Sequence, residues 1–335
     1  MRHLITLAGT LALALSASAL AADPPRSLPV GACINMGNQL EALSETAHGG
    51  VAIKASDFKR IRAAGFTTVR IPVRWSNKTG ERPDYKIDPK WMKRVTTVVD
   101  QALAADLNVI LNDHHFEALD SDPAANSAKL AAIWAQVAPH FASRPSKHLW
   151  FEIENEPHDM LTNAILGETL APALEAIRAT NPDRPVVIGG DYWSGIDSRA
   201  TLQLPDDANV YPTFHYYEPF DFTHQGAGWV KPKPPSLGRV YGSADDAARL
   251  VKDAAKIEAY VARTELVPFM GETGAYDAHI PLEQRVQYTR AVHDTFTPLG
   301  VGICGWAYTN TFPYYDHKAK RWLPGLRAAA GLPEN

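Results

Sequence analysis

The amino-acid sequence predicts an α/β fold, a single-domain (β/α)₈ barrel of the TIM type, from two observations. Eight short apolar runs, rich in β-branched and aromatic residues, recur along the chain and end near Gly, Pro or Asp, which is typical of strands. Most of these runs are followed by a segment with helical periodicity. Because parallel strands need crossover connections, eight such units in 335 residues fit a closed parallel barrel.

The individual elements follow one another in a regular order. The strand-like runs are CINMG (33–37), TTVRIPV (67–73), NVILND (108–113), LWFEIENE (149–156), PVVIGG (185–190), NVYPTFHYY (209–217), VPFMGET (267–273) and VGICGWAYT (301–309). Helices are predicted at residues 55–64, 89–105, 127–142, 162–179, 244–263 and 282–297. Asp88 followed by Pro89 is a typical helix start, because proline suits the first turn. An open doubly wound sheet is disfavoured, since no glycine-rich phosphate turn follows the first run.

The N-terminal stretch has the composition of a secretory signal peptide. A short basic start precedes an apolar run at residues 4–15 and a small-x-small cleavage site at residues 19–21. The apolar run is too short for a comfortable membrane span, although a retained anchor is the alternative. We expect residues 1–21 to be removed by cleavage near Ala21 or Ala22, and the protein to be secreted or periplasmic.

Residues 22–335 are predicted to form one domain, because they contain no Ser/Pro/Gly linker and no internal repeat. The aromatic and proline-rich segment 223–242 follows the sixth run and is predicted to be a loop over the barrel mouth. The chain has 33 basic and 37 acidic residues, and no charged run favours nucleic acid or a membrane surface as a partner. We expect a monomer.

The chain has two cysteines, Cys33 and Cys304, near its opposite ends. Two cysteines offer no metal-ligand spacing, and we expect neither a metal nor an organic cofactor. Buried free thiols are the simpler interpretation. The two residues become neighbours if the first and eighth strands close the barrel, so whether they form a disulfide stays open.

Polar residues cluster at the predicted carboxyl ends of seven strands. In a barrel these ends converge on one face, where active sites lie. In chain order the polar residues are Asn38 with Glu41, Arg70, Asp113 with His114 and His115, Asn155 with Glu156, His215 with Tyr217, Glu272, and Trp306. Two of them, Glu156 and Glu272, are carboxylates from different strands. Paired carboxylates, one protonated and one ionised, are the machinery of glycoside hydrolysis.

Six segments, in order, resemble glycoside hydrolase family 5, the family of β-1,4-glucanases and mannanases with catalytic glutamates after strands four and seven. They are MGNQLEA, VRIPVRWS, LNDHH, NEP, FHYYEPFDFTHQGAGW and MGETG. Together with Trp306, these matches run from about Asn35 to Trp306, which is most of the mature chain. The ordered set is far more specific than NEP by itself. The resemblance implies a retaining endo-β-1,4-glucanase acting on soluble glucans such as carboxymethyl cellulose, mixed-linkage glucan and glucomannan.

The resemblance also implies a role for each polar residue of the site. Glu156 takes the acid/base position and Glu272 the nucleophile position. Asn155 would hydrogen-bond the sugar 2-hydroxyl, while Arg70 and Tyr217 would hold the nucleophile ionised and aligned.

Other residues would line the sugar subsites. His114 and His215 would lie where the glycosyl-enzyme forms, and Trp306 would be a sugar platform followed by a non-proline cis peptide bond. By the same resemblance, sugar contacts are expected from Asn38, Glu41, His115, His224 and Trp229. Trp75 and Trp193 fit packing as well as they fit sugar binding.

The segment FEIENEP alternates three glutamates, at positions 152, 154 and 156, inside an apolar run. A buried carboxylate is costly unless it is paired or hydrogen-bonded. Glu152 fits an acid that supports the catalytic one. Glu154 departs from the family pattern, in which an aliphatic residue is usual, and the sequence leaves its direction open.

Three alternatives stay open at this stage. An endo-β-mannanase or a xyloglucanase of the same mechanism is the alternative within the class, since single residues do not settle the contacts to the sugar 2-hydroxyl or the room for side chains. A non-catalytic polysaccharide-binding barrel is disfavoured by the two intact glutamates. A retaining enzyme should hold its catalytic carboxyls about 5–5.5 Å apart, whereas more than about 6.5 Å would indicate inversion.

Overall fold

The computed structural model describes residues 24–47 and 50–334, and at its centre lies a closed parallel barrel. The barrel strands, labelled β1 to β8, are Ala32–Asn35, Thr68–Val73, Asn108–Asp113, Leu149–Glu152, Val186–Ile188, Val210–His215, Phe269–Thr273 and Ile303–Gly305. Each strand pairs with the next in parallel, and β8 pairs with β1. The (β/α)₈ prediction is confirmed, and each predicted run overlaps one barrel strand. The predicted signal peptide lies outside the described residues.

Long helices cover the outside of the barrel. They are labelled α1 to α6 and comprise Ala55–Ala63, Pro89–Leu103, Pro123–Phe141, Asn163–Arg178, Ala244–Thr264 and Leu282–Phe296. All six predicted helices are present. Helix α3 begins four residues earlier than predicted, because the Asp122 side chain accepts a hydrogen bond from the Ala125 N–H and Pro123 suits the first turn.

Short elements connect these units. They are the helical turns Glu117–Ser121, Asp191–Ser194, Phe220–Thr223 and Leu326–Ala329, the 3₁₀ turns Ser76–Lys78, Ile196–Ala200 and Thr297–Leu299, and the strands Arg26–Ser27, Leu266–Val267, Tyr315–Asp316 and Arg321–Trp322. Between β5 and β6, a region that the structure describes in full, there is no long helix, and the two short turns Asp191–Ser194 and Ile196–Ala200 take its place. None of the helices within residues 24–47 and 50–334 is long and apolar enough to cross a membrane.

Apolar side chains fill one end of the barrel interior. Cys33, Ile110, Trp150, Val187 and Phe269 come from five different strands and form one buried cluster, which is possible only inside the barrel. All six residues of β2 are buried, as expected of a parallel strand that is covered on both faces. The polar residues are left to occupy the carboxyl ends of the strands.

Cys33 and Cys304 form a disulfide between β1 and β8. They are register partners across the strand pair that closes the barrel, and both are buried. The interpretation as free thiols is therefore wrong, and the pairing that the sequence left open is made.

Removal of this cross-link should lower the stability of the fold. The disulfide joins residues 271 positions apart, and in the chain-entropy account so long a loop is worth up to about 5 kcal/mol. The double variant Cys33→Ala/Cys304→Ala should therefore unfold at a clearly lower temperature than the unreduced wild type in a thermal scan. Unfolded, unreduced wild-type protein should contain no free thiol, and equal midpoints for the two proteins would contradict the prediction.

Candidate active site

Arg70 lies at the centre of the polar face, buried on β2. Its guanidinium donates two hydrogen bonds to Glu152, from Nε to Oε2 at 2.7 Å and from Nη2 to Oε1 at 2.8 Å. It also donates from Nη1 to Glu272 Oε1 at 2.7 Å and from Nη2 to Asn155 Oδ1 at 2.5 Å. Such charge-assisted, bidentate contacts are among the stronger hydrogen bonds in proteins. Arg70 thus ties together residues from β2, β7 and the segment around the end of β4.

Glu156 and Glu272 face each other across the barrel mouth. One carboxylate oxygen of each glutamate and a ring nitrogen of His215 lie within 4.8 Å of one another. His215 Nδ1 is 2.6 Å from Glu156 Oε1 and 3.7 Å from Glu272 Oε2. Tyr217 donates its hydroxyl to Glu272 Oε2 at 2.9 Å. Two carboxyl groups at this separation can flank a single bond of a bound substrate.

The environments of Glu156 and Glu272 favour different protonation states for the two acids. Burial raises the pKa of Glu156 to about 7, and it also raises the pKa of Glu272. Arg70 and Tyr217 both donate hydrogen bonds to Glu272, whereas the side chain that donates to Glu156 is the uncharged Asn155. Donors to the charged form favour ionisation, so Glu272 should lose its proton first. Glu156 is then the carboxyl that keeps a proton near neutral pH.

Neutral histidines complete this part of the site. Burial lowers the pKa of His215 to about 4 and that of His114 well below its usual range. Both rings are therefore uncharged at neutral pH, and the positive charge beside the two acids comes from Arg70. Two carboxylates and an imidazole can also bind a cation, but a guanidinium 2.7 Å from Glu272 disfavours one there.

Trp306 forms an aromatic wall with His114. The two rings stack at 5.7 Å with an interplanar angle of 10°, and His114 Nδ1 is hydrogen-bonded to Asn112 Oδ1 at 3.0 Å. The bond from Trp306 to Ala307 is cis, as expected. Gly37 is required beneath the indole, because a Cβ at that position would lie 2.8 Å from Trp306 Cζ2. The indole is held against the end of β1.

The loop after β6 forms a second wall of the site. His224 is buried and stacks on Phe220 with ring centroids 4.2 Å apart. Trp229 is half-exposed and contacts Tyr276 edge to face at 4.8 Å. His224 and Trp229 lie in segment 223–242, which was predicted to cover the barrel mouth, and Tyr276 joins them from the loop after β7.

In the loop after β1, a buried glutamate accepts hydrogen bonds from the loop backbone. Asn38 adopts a left-handed backbone conformation with φ 62° and donates from Nδ2 to Thr311 Oγ1 at 3.0 Å. Glu41 is buried, and its carboxylate accepts hydrogen bonds from the backbone N–H groups of Asn38 and Gln39. Its predicted contact with sugar therefore stays a prediction, because these oxygens hold the loop. His115 is exposed at the mouth, also with a left-handed backbone.

Asn35 is a site residue that the sequence did not single out. Its Oδ1 accepts a hydrogen bond from Arg70 Nη1 at 3.0 Å, and its Nδ2 donates to the backbone oxygen of Gly271 at 2.9 Å. It thereby links the guanidinium to β7. The sequence signal that could have identified Asn35 is a polar side chain within the apolar run CINMG.

The sequence could not distinguish packing from sugar binding for Trp75 and Trp193. Trp75 is fully buried, so it is a packing residue. Trp193 is 52% exposed and stacks on the ring of His158 at 4.8 Å. Its backbone N–H donates to the oxygen of Pro157, the residue after Glu156. The indole therefore lies at the mouth, on the side of the acid/base candidate.

Comparisons with known proteins agree on one family. The model of the cellulase family, glycosyl hydrolase family 5, matches residues 34–311. Endoglucanase H of Acetivibrio thermocellus is 32% identical over 292 residues, which cover 87% of this chain and 31% of that protein. The chain thus spans about a third of the length of this relative.

Solved structures of similar length share the whole barrel. A hyperthermophilic endo-β-1,4-glucanase, solved in complex with substrate, is 39% identical with a TM-score of 0.86, and the match covers 90% of this chain and 96% of that one. Thermotoga maritima Cel5A, solved with mannotriose, is 38% identical with a TM-score of 0.86, covering 90% and 97%.

Proposed function

The chain belongs to glycosyl hydrolase family 5, and from that premise we propose that it is an endo-acting β-1,4-glucanase. The observation that carries the proposal is the facing pair Glu156 and Glu272, held by Arg70 at the mouth of the barrel. The Acetivibrio relative is an endoglucanase and the hyperthermophilic relative an endo-β-1,4-glucanase, which supports the same activity.

The proposed mechanism is a double displacement with retention. Ionised Glu272 attacks the anomeric carbon while Glu156 protonates the leaving oxygen, which gives a covalent glycosyl-enzyme. Glu156 then removes a proton from the water that hydrolyses this intermediate. One oxygen of Glu156 lies within 4.8 Å of one oxygen of Glu272, which supports retention, because inverting enzymes separate their carboxyls by about 6.5–9.5 Å.

Soluble β-1,4-glucans are the proposed substrates, with carboxymethyl cellulose, mixed-linkage glucan and glucomannan as the first three. A second candidate is an endo-β-mannanase of the same mechanism. It is favoured by one observation, the mannotriose bound in the structure of Thermotoga maritima Cel5A. The two activities differ in how the site receives the sugar 2-hydroxyl.

The test is reducing-sugar release from the three glucans, pure mannan and xyloglucan, with Glu156→Gln as the blank. Glu168→Gln makes the same chemical change at an exposed position of α4 and serves as the matched control. Release from the glucans that disappears only in Glu156→Gln would support the proposal. Activity confined to mannan or xyloglucan would show that the proposed glucan substrates are wrong. A folded wild type that binds polysaccharide but releases no sugar would overturn the proposal that the protein is an enzyme.

Trp193 is proposed to bind the leaving-group side of the chain, because its exposed indole lies beside the Pro157 that follows Glu156. Trp193→Ala should raise KM for long glucans by about fivefold, equivalent to about 1 kcal/mol of lost stacking. Hydrolysis of a cellobioside with a small aryl leaving group should be unchanged. Trp193→Phe is the conservative control, and equal KM effects on both substrates would contradict this placement.

We further propose that the protein is exported and acts as a monomer. The N-terminal composition of residues 1–21 and the disulfide between Cys33 and Cys304 both suit an oxidising compartment. The contacts of Arg70, His215 and Tyr217 with the two glutamates are complete within one chain, so the proposed site needs no second copy. N-terminal sequencing of the exported protein should begin at Ala22 or Asp23, whereas a membrane-bound form that retains Met1 would contradict export.

A further inference from the structure

Glu154 is buried two residues before the proposed acid/base residue, just beyond the end of β4. Strand β4 ends at Glu152, whose carboxylate faces the buried guanidinium, and Asn155 reaches the same guanidinium. Two inward residues three positions apart break the alternation of a strand. The strand alternation thus does not place Glu154 beside Arg70, and the acid that acts most strongly on Glu154 is Asp113.

Asp113 ends the neighbouring strand β3, which pairs in parallel with β4. Asp113 is 0% exposed and Glu154 is 2% exposed. Within the described part of the chain, both oxygens of Asp113 and Oε2 of Glu154 lack a side-chain hydrogen-bond donor. The backbone N–H groups of Trp75 and His114 approach Asp113, but they carry no charge that could neutralise it. Lys129, the cation that acts on Asp113, donates instead to the backbone oxygen of Ser76 at 2.8 Å. A buried carboxylate without a partner is costly, so these two acids need another source of neutralisation.

We propose that Asp113 and Glu154 share one proton as a buried acid pair, and that this acid pair positions the segment Asn155–Glu156. A protonated carboxyl donates to an ionised one, which satisfies an oxygen on each residue and leaves a single charge. Glu154 is thus a positioning residue that acts through its neighbours. The inference rests on the proposed role of Glu156 in catalysis.

The segment needs such support because the strand ladder does not continue through it. Ile153 still donates its N–H to the neighbouring strand β5, and Trp134 Nε1 donates to the oxygen of Ile153 at 3.1 Å. Ser194 Oγ donates to the oxygen of Asn155 at 2.9 Å. These contacts come from α3 and from the turn after β5. The acid pair supplies the contact on the β3 side.

The charged groups acting on the acid pair, among the described residues, are Lys129 on α3, Asp120 in the turn Glu117–Ser121, and Glu152 on β4. His158 faces Asp120 at 3.5 Å. Burial raises the pKa of both members of the acid pair well above the usual range. A carboxyl whose pKa is higher when folded binds more protons in the folded state. The stability it contributes is therefore lost as pH rises from about 4, the unfolded value, towards the folded pKa.

The first test compares kcat and KM at pH 6 for Glu154→Leu, Glu154→Gln and the double variant Glu154→Gln/Asp113→Asn. Glu154→Leu leaves Asp113 without a donor, so kcat should fall by about tenfold, as expected for a misplaced catalytic group, with KM little changed. Glu154→Gln still donates an N–H and should stay within about twofold of wild type. The double variant keeps a hydrogen bond between the two side chains without a charge, so it should also stay within about twofold of wild type. Equal losses in all three variants would indicate packing alone and overturn the acid pair.

The second test needs no turnover and measures the midpoint of thermal unfolding from pH 5 to pH 9. The wild type should lose more stability with rising pH than Glu154→Gln or the double variant, because only the wild type loses the shared proton in this window. Parallel slopes for the three proteins would overturn the shared proton. An inactive wild type would refute the proposed function and leave this comparison of slopes intact.

Discussion

Glutamine in place of Glu272 is expected to lower kcat on a soluble β-1,4-glucan by at least about 10⁴-fold, because an amide cannot attack the anomeric carbon. The side chain keeps its size and an oxygen, so Arg70 or Tyr217 still has a group to which it can donate. Binding of a cello-oligosaccharide should therefore stay within a few-fold of wild type. Reducing-sugar release gives the rate, and calorimetric titration gives the affinity.

Two controls separate the loss of a nucleophile from general damage. Glu168→Gln should retain wild-type turnover, because this glutamate is exposed on α4. In Glu272→Ala, added azide should enter the vacated space and displace an activated leaving group to give the α-glycosyl azide. Turnover of Glu272→Gln above about one per cent of wild type, or azide rescue with retained configuration, would contradict the assignment of the nucleophile.

Alanine in place of Glu156 should have an effect that depends on the leaving group. On polysaccharide, kcat should fall by about 10²- to 10⁴-fold, the usual contribution of a general acid. With dinitrophenyl cellobioside, whose leaving group needs no proton, formation of the glycosyl-enzyme should stay near the wild-type rate. Hydrolysis of that intermediate should be slow, and azide should accelerate it to give the β-glycosyl azide. Stopped-flow release of dinitrophenol measures the two steps separately.

The pH profile gives an independent measure of the same residue. Burial raises the pKa of Glu156 to about 7, and the acid must be protonated to act. Therefore kcat/KM of the wild type should fall as pH rises through about 7. The acid limb should lie lower, since Glu272 must be ionised. Two results together would contradict the acid/base role of Glu156: Glu156→Ala slows hydrolysis equally for every leaving group, and its kcat/KM still falls at alkaline pH as in the wild type.

Much of the fold was predictable because the signals are local. Each strand of a barrel is covered on both faces, so it leaves a short apolar run, and each covering helix leaves a periodic one. The convergence of Arg70, Glu156 and Glu272 then follows from topology, since the carboxyl ends of all strands share one face. Residues at strand ends could therefore be placed together without knowledge of any distance.

The remaining features depend on geometry that no local pattern encodes. The surroundings of Glu154 could not be predicted, because β4 ends at Glu152 and the alternation of a regular strand no longer applies beyond it. The exposure of Trp193 depends on its left-handed backbone, with φ 55°, which is unusual for this residue type. The disulfide required the register of β8 against β1, which places Cys304 opposite Cys33.

The central claim is that Glu272 becomes covalently bonded to the sugar while Glu156 handles the proton. The most direct test is intact-mass and peptide-mass analysis of the enzyme after incubation with 2-deoxy-2-fluoro-β-cellobiosyl fluoride, whose fluorine slows hydrolysis of the intermediate. We expect one added cellobiosyl unit on the peptide that contains Glu272, and no adduct in Glu272→Gln. An active enzyme that forms no adduct, or an adduct on another residue, would contradict the proposed mechanism.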